Sequence, residues 1–246
     1  MADDITNLEQ PRPEVWQSRP LFTFIEDCWN NSIAVAGNKN VVASRLANVD
    51  KIFDDFHRVI KLENMSQLVP ALLFMRAFSA YRASAMVSLC LPTDGYALQR
   101  SCLENAGYAR LIADDSTLSE SWLRRDDSED SRKLIRRTFT QTAIRESISA
   151  KDTKLSEIYQ ALYERSIDFG AHPNEKAVTS SLVKDSLKTK TIQFKLLTGD
   201  GIALDHSLRS AAQVGICALR VLGTIFKAQF DNEGFSVRTH QASQGL

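Results

Sequence analysis

The sequence predicts an all-α protein, a multi-helix bundle of about seven helices with one small inserted β-hairpin. Three observations predict it. Apolar residues recur every three or four positions along most of the 246 residues, and an apolar content of 43% is enough for a substantial core. No internal repeat or Pro/Gly-rich linker divides the sequence. We therefore expect one helical domain over 21–232, between a flexible N-terminal arm over 1–20 and a frayed tail over 233–246.

Two amphipathic helices are predicted first, over 21–35 and 40–62. Phe22 and Trp29 lie on one helical face of the first, and the second continues the same apolar periodicity. The arm that precedes them is polar and rich in proline, and we expect its Trp16 to dock on the bundle.

The next two predicted helices form an antiparallel pair at the centre of the bundle. Ser66 opens the first, which is strongly apolar and ends before Pro92. Asp94 is placed to cap the second, in which Cys102, Ala106 and other apolar residues recur at three and four positions. The short connection between the two helices favours an antiparallel arrangement.

Shorter helices are predicted over 118–125 and 132–149, and Ser128 with its acidic neighbours suits the N-terminus of the second. Asp152 then starts the helix that carries Arg165.

The β-hairpin is predicted as an insertion at about 177–198. Its strands are expected over 178–183 and 192–196, because apolar residues alternate in the second strand and Gly199-Asp200-Gly201 closes the segment. Asp205 is expected to cap a final long helix that runs to about 230.

Charge and composition exclude several classes of function. Thirty basic residues balance thirty acidic ones, so the protein has no net positive charge that would attract it to nucleic acid or to an anionic membrane. The N-terminus has no apolar signal core, and arginines interrupt the longest apolar runs before they reach spanning length. We expect a soluble, cytoplasmic protein without membrane contact, in which any contact with a polyanion is made by a local patch.

The sequence also lacks the motifs of the common cofactor and metal enzymes. It contains no Gly-rich phosphate loop, no nucleophile elbow and no paired-histidine metal helix. Cysteines far apart in sequence and within apolar helical patterns are typical of buried thiols in a reducing cytosol. These are Cys28, Cys90, Cys102 and Cys217. We therefore expect neither a cofactor nor a metal ion.

The best candidate for chemistry is the segment RSIDFGAHPNE, where a helix carrying Arg165 runs into Gly170 and breaks after His172. Six residues separate Arg165 from His172, so the imidazole can fold back toward the guanidinium. Such a pair suits phosphate chemistry, because arginine binds phosphate oxygens and histidine titrates near neutrality. The alternative is structural: His172 caps its helix, and Arg165 pairs with Glu164 or Asp168. The remaining histidines are isolated and are interpreted as surface or capping residues: His57, His206 and His240.

The pattern LQRSCLENAGYARLI, followed downstream by YERSIDFGAHPNE, resembles the HEPN superfamily of helical bundles. The signature of that family is an arginine, four to six residues and a histidine, which Arg165 and His172 match. Asp168 lies in the interval where the family often carries a further polar residue, and Ser166 occupies the polar position after the arginine. The resemblance covers roughly 66–230.

Membership would imply a homodimer with two motifs facing each other, and, in active members, a metal-independent endoribonuclease of a toxin, phage-defence or RNA-processing system. In that hypothesis His172 is the general acid or base, Arg165 stabilises the phosphorane, and Asp168 or Asn174 orients the histidine or the RNA. Other members are inert. The second hypothesis is therefore a non-catalytic bundle that binds a partner protein or a nucleotide as a regulatory or scaffold subunit.

Two further groups of charged residues accompany this motif. Arg100 and Glu104 are four residues apart on an apolar helix, which predicts an ion pair that fixes the register of this helix. The alternative is that Arg100 points into the same groove as His172. Arg82 is an equally good partner for Glu104.

A cationic ridge is predicted on the helix after Ser128. Its members stack one turn apart and could follow an RNA backbone: Arg132, Lys133, Arg136 and Arg137. The alternative is a solvated, salt-bridged face, because four acidic residues precede or join the ridge: Asp126, Asp127, Glu129 and Asp130.

Overall fold

The computed structural model describes residues 14–16, 19–173, 175–179, 181–182 and 193–246. These residues form twelve α-helices and no extended strand, which confirms the all-α class. The helices are α1 (Pro20–Asn38), α2 (Asn40–Val59), α3 (Leu68–Ser88), α4 (Pro92–Asp114), α5 (Thr117–Leu123), α6 (Glu129–Thr138), α7 (Gln141–Ser149), α8 (Thr153–Ser166), α9 (Glu175–Thr179), α10 (Ile202–Gly223), α11 (Lys227–Asn232) and α12 (Phe235–Ser243).

The centre of the bundle is the antiparallel pair α3 and α4, with α10 packed against both. Helix α10 is buried along most of its length because small and aliphatic residues occupy nearly every side of it. Around this centre, the ring of Phe56 from α2 makes edge contacts with Phe74, Phe230 and Phe235. These rings join α2 and α3 to the two C-terminal helices.

A buried polar network joins α3, α4 and α10 inside the core. The Gln99 amide donates to Ser88 Oγ (3.4 Å) and to the Ser207 carbonyl (3.2 Å), and accepts from Ser210 Oγ (2.8 Å). Ser207 Oγ in turn donates to the carbonyl of Pro92 (2.9 Å) at the first residue of α4. Because every partner is buried, the network fixes how α10 lies against the start of α4.

The predicted number of helices, about seven, is too low for the described residues. Thr140 divides the helix expected over 132–149, since its Oγ1 accepts from the amide of Ala143 (3.2 Å) and starts α7. The tail expected to fray after Gly234 contains α12 instead, whose Phe235 is buried in the core.

The predicted β-hairpin is also wrong for the residues that are described. Residues 175–179 form α9, and a single antiparallel bridge joins Leu182 to Phe194. Val178 is 55% exposed and Phe194 is 51% exposed, so the alternating apolar residues have no core surface to pack on. Residues 183–192, which include the whole turn expected between the strands and the adjoining end of each strand, lie outside the described residues.

Two of the predicted capping residues are confirmed and two are shifted, and the helix expected to open at Ser66 begins at Leu68. Ser128 Oγ accepts from the Ser131 amide (3.0 Å), and Asp152 accepts from the Leu155 amide (2.9 Å). Helix α4 begins at Pro92 and α10 at Ile202, which leaves Asp94 and Asp205 in the first turn rather than at the cap. Both carboxylates still stabilise their helices, because a negative charge in the first turn interacts favourably with the positive end of the helix dipole.

Trp16 docks as expected, with its ring stacked on Phe22 (4.4 Å between centroids) and its indole N–H donating to Glu26 (3.0 Å). None of the helices in the described part of the chain combines the length and the apolar content needed to cross a bilayer.

The four thiols are free, and all but Cys28 are buried. Cys28 of α1 and Cys90 are distant in sequence, but Cys28 lies beside Cys90, which follows the end of α3. Burial and this neighbouring thiol raise the pKa of Cys28 to about 11.

Candidate functional site

The last turn of α8 carries Arg165 and leads into a π turn over Ile167–Ala171. Gly170 lets this turn lie directly on the start of α4, because a Cβ at this position would be 2.0 Å from the carbonyl oxygen of Thr93. A π turn inserted after a regular helix redirects the side chains that follow it. Phe169 therefore faces α4 and α10, where its ring lies 5.6 Å from that of Tyr96 and 4.7 Å from that of His206.

Arg165 is held by α10. Its Nη1 donates to Gln213 Oε1 (2.5 Å), and both residues line a cleft of 360 Å³ between α8, α10 and the C-terminal residues. Arg220 and Ile216 of α10 line the same cleft. The cleft therefore offers two guanidinium groups beside an apolar wall.

The histidine that lies in the field of Arg165 is His206. Its Nδ1 is 2.6 Å from the hydroxyl oxygen of Tyr96, and the Phe169 ring packs against it at an interplanar angle of 45°. Partial burial lowers the pKa of His206, and the charges of Arg165 and Arg209 lower it further. The imidazole is therefore biased toward its neutral form, which is the form that can accept a proton.

Tyr96 is the partner that orients His206. Burial raises the pKa of this tyrosine to about 12, against a smaller opposing effect of Arg165. The hydroxyl therefore stays protonated near neutrality and acts as a hydrogen-bonding group. We call Arg165, Gln213, Tyr96, His206 and Phe169 the Arg165–His206 centre.

His172 occupies a different place from Arg165. It is exposed and lines a separate cleft of 600 Å³, together with Thr93, Asp94 and residues of 194–198. Among the described residues, no hydrogen bond or ion pair joins His172 to Arg165. Asp168 lies exposed on the π turn between them, and Asn174 lies outside the described residues.

Arg100 and Glu104 form the ion pair that their spacing predicts, with Nε and Oε1 2.8 Å apart. Tyr163 of α8 donates to Glu104 (3.1 Å), and the Arg100 guanidinium lies 5.1 Å from the centre of the Tyr163 ring. The group therefore joins α4 to α8. Arg82 pairs instead with Asp50 of α2 (2.8 Å).

The cationic ridge on α6 is largely neutralised by its own neighbours. Arg132 pairs with Asp126 (3.1 Å), and Arg136 pairs with Glu129 (2.9 Å). Lys133 lies 3.5 Å from Asp130, and Arg137 is exposed beside them. Such exposed pairs stabilise the protein only slightly, and they reduce the positive potential available to a phosphate backbone.

Sequence reasoning missed His206, Gln213 and Tyr96. One signal was present, because His206 and Gln213 are seven residues apart and so share one face of a helix. Nothing in the local sequence of Tyr96 indicates its partner, which is 110 residues away.

Comparison of the chain with family models, with curated proteins and with solved structures gave no match.

Proposed function

We propose that this protein is a HEPN-like helical bundle and a metal-independent endoribonuclease, and that its base is His206 rather than the His172 of the HEPN signature. The observation that carries the proposal is the imidazole of His206, bound to Tyr96 at 2.6 Å and biased toward the neutral state by burial and by Arg165. A neutral imidazole in the electrostatic field of an arginine combines a base with a phosphate-binding cation.

The proposed reaction uses the 2′-hydroxyl of RNA as its nucleophile. When Nδ1–H of His206 donates to the Tyr96 oxygen, Nε2 keeps its lone pair. Nε2 then accepts the proton of the RNA 2′-hydroxyl. The 2′ oxygen forms a bond to phosphorus and the bond from phosphorus to the 5′ oxygen breaks. The 5′ oxygen takes up a proton from water, and the imidazolium of His206 returns its proton to the solvent. The products are therefore a 2′,3′-cyclic phosphate and a 5′-hydroxyl, with no net proton change.

Arg165 stabilises the charge that develops on the phosphate oxygens during this step. Gln213 accepts a hydrogen bond from one terminal nitrogen, which fixes the plane of the guanidinium and leaves its other N–H groups for the phosphate. Replacement by lysine would keep the charge but lose this planar arrangement of donors.

We further propose that two copies of the chain act together, because one arginine and one histidine are few groups with which to hold and cleave an RNA strand. Light scattering at micromolar concentration is expected to show a dimer. A monomer at every concentration tested would refute this part of the proposal.

The test is cleavage of a single-stranded RNA oligonucleotide by purified protein in the presence of a chelator. His206→Gln is expected to reduce the rate by at least about a hundredfold, the usual minimum for loss of an acid–base group. His172→Gln is the matched control, since it makes the same change at the histidine that lies in the other cleft. Product analysis should identify the cyclic phosphate.

The outcomes separate the alternatives. Loss of activity in His172→Gln with full activity in His206→Gln would overturn the assignment to His206 in favour of the sequence motif. Equal cleavage by the wild type and both variants would indicate a contaminating nuclease, and the non-catalytic bundle would then be the better description. Circular dichroism of each variant distinguishes loss of chemistry from loss of fold.

A further inference from the structure

A third cleft lies at the other end of α8, where the start of that helix meets the end of α10 and the helices α11 and α12. Its volume is 590 Å³, within the usual range of small-molecule sites. The cleft differs in composition from the one that contains Arg165, although Arg220 and Ser243 line both.

The rim of this cleft is positively charged. Four cationic side chains line it, against two carboxylates: Lys151, Lys154, Arg220 and Lys227 against Asp152 and Asp231. Three of these cations have a carboxylate partner: Arg220 pairs with Asp152 (3.2 Å), Lys227 with Asp231 (2.6 Å) and Lys151 with Asp114 (3.8 Å). Lys154 is exposed, with no carboxylate partner in the part of the chain that the structure describes. The rim therefore favours an anionic ligand.

One wall of the cleft is a polar face of α12. Ser236, Thr239, His240 and Ser243 line it, at the spacing that places side chains on one side of a helix. Thr239 is only 2% exposed, and its Oγ1 has no hydrogen-bond partner among the described residues. A buried hydroxyl without a partner is unusual and costs free energy, so a ligand group that bonds to it gains affinity.

The floor of the cleft is apolar. Leu155 of α8 and Phe230 of α11 line it and are both almost fully buried. A cationic rim, a polar wall and an aromatic floor together suit a ligand that has a phosphate, hydroxyl groups and a flat apolar ring.

We propose that this cleft binds a mononucleotide. Its phosphate contacts Lys154, a sugar hydroxyl bonds to Thr239, and its base lies at the apolar floor to which Phe230 and Leu155 contribute. This site is distinct from the Arg165–His206 centre, and nucleotide binding here does not depend on the proposed cleavage of RNA.

The test is isothermal titration calorimetry of the full-length protein with 5′-AMP, with adenosine and inorganic phosphate as partial probes. Measurable binding of 5′-AMP is expected, and both partial probes should bind at least about tenfold more weakly because each lacks half of the contacts. Lys154→Gln and Thr239→Val should each weaken 5′-AMP binding by at least about tenfold. Lys51→Gln, which removes an exposed lysine of α2 outside the cleft, should leave the affinity unchanged.

Absence of 5′-AMP binding at millimolar concentration would overturn the proposal. Equal weakening by Lys51→Gln would also overturn it, because the effect would then reflect net charge rather than the cleft. Inorganic phosphate binding as tightly as 5′-AMP would exclude a role for the apolar floor and overturn the nucleotide assignment. His206→Gln should bind 5′-AMP like the wild type, so failure of the ribonuclease proposal and failure of this one give different results.

Discussion

Gly170→Ala is expected to destabilise the protein, because the added methyl group meets the main chain of α4 rather than a side chain that can rotate. The new Cβ would lie 2.0 Å from the Thr93 oxygen and 3.0 Å from its carbonyl carbon. Thr93 itself is hard to displace, since the adjacent Pro92 carbonyl accepts from Ser207 inside the core. The π turn must therefore retreat by about 1 Å or more, an overpacking that costs about 1–3 kcal/mol.

The measurement is the free energy of unfolding from chemical denaturation, with the thermal midpoint as a second readout. For a chain of this size each kcal/mol lowers the midpoint by about 2–4 °C, which predicts a decrease of roughly 2–12 °C. Retreat of the turn also moves Phe169 off His206, so the pKa of His206, followed by NMR, should rise back toward its ordinary value.

Gly37→Ala is the matched control for this substitution. Apart from the backbone of its own helix α1, no atom of the described residues lies within 4 Å of the position that its Cβ would occupy. Alanine should therefore stabilise this helix, by up to about 1 kcal/mol. If Gly170→Ala were as stable as the wild type, the close packing of the π turn on α4 would be refuted.

Two further predictions concern the core and the candidate site. Gln99→Leu should lower the free energy of unfolding by about 1–3 kcal/mol, because Ser210 and Ser88 lose a buried partner; unchanged denaturation would contradict the network. The rate of RNA cleavage should rise with pH and level off above the pKa of His206, because only the unprotonated imidazole accepts a proton. Since that pKa is lowered, the midpoint of the rise should lie below 6.5, and a pH–rate profile with its midpoint at or above this value would count against His206 as the base.

Features of the fold that depend on neighbouring residues were predictable from the sequence. The side-chain caps of Ser128 and Asp152 are examples, because each bonds to an amide three residues along the chain. The break at Thr140 was missed because apolar residues continue on both sides of it, at Ile135 and Ile144, and periodicity alone does not reveal a cap between them.

The prediction of the β-hairpin was wrong for a different reason. An alternating pattern predicts a strand only where one face finds a surface to cover, and this depends on the packing of the whole bundle. Phe194 and Leu196 face away from the core, so their alternation carries no energetic preference for pairing.

The geometry of the candidate site was even harder to predict from local sequence patterns. Arg165 was predictable from its position at a helix end, but the π turn after it changes the direction of the chain before His172. The placement of His206 depends on how α10 lies against α4, which is set by contacts such as that of Gln99 with Ser207. These contacts join residues about a hundred positions apart, and no local pattern records them.

The thiols at the centre of the bundle provide an intrinsic probe of how the protein opens. Alkylating reagents react with an exposed thiolate, and Cys102 of α4 and Cys217 of α10 are almost completely buried. Burial raises the pKa of both groups, that of Cys217 to about 12. Their labelling must therefore wait for separation of α4 from α10, whereas labelling of Cys28, which is only partly buried on α1, reports movement of that outer helix. The order in which the wild-type thiols react would separate global unfolding from local opening without any engineered cysteine.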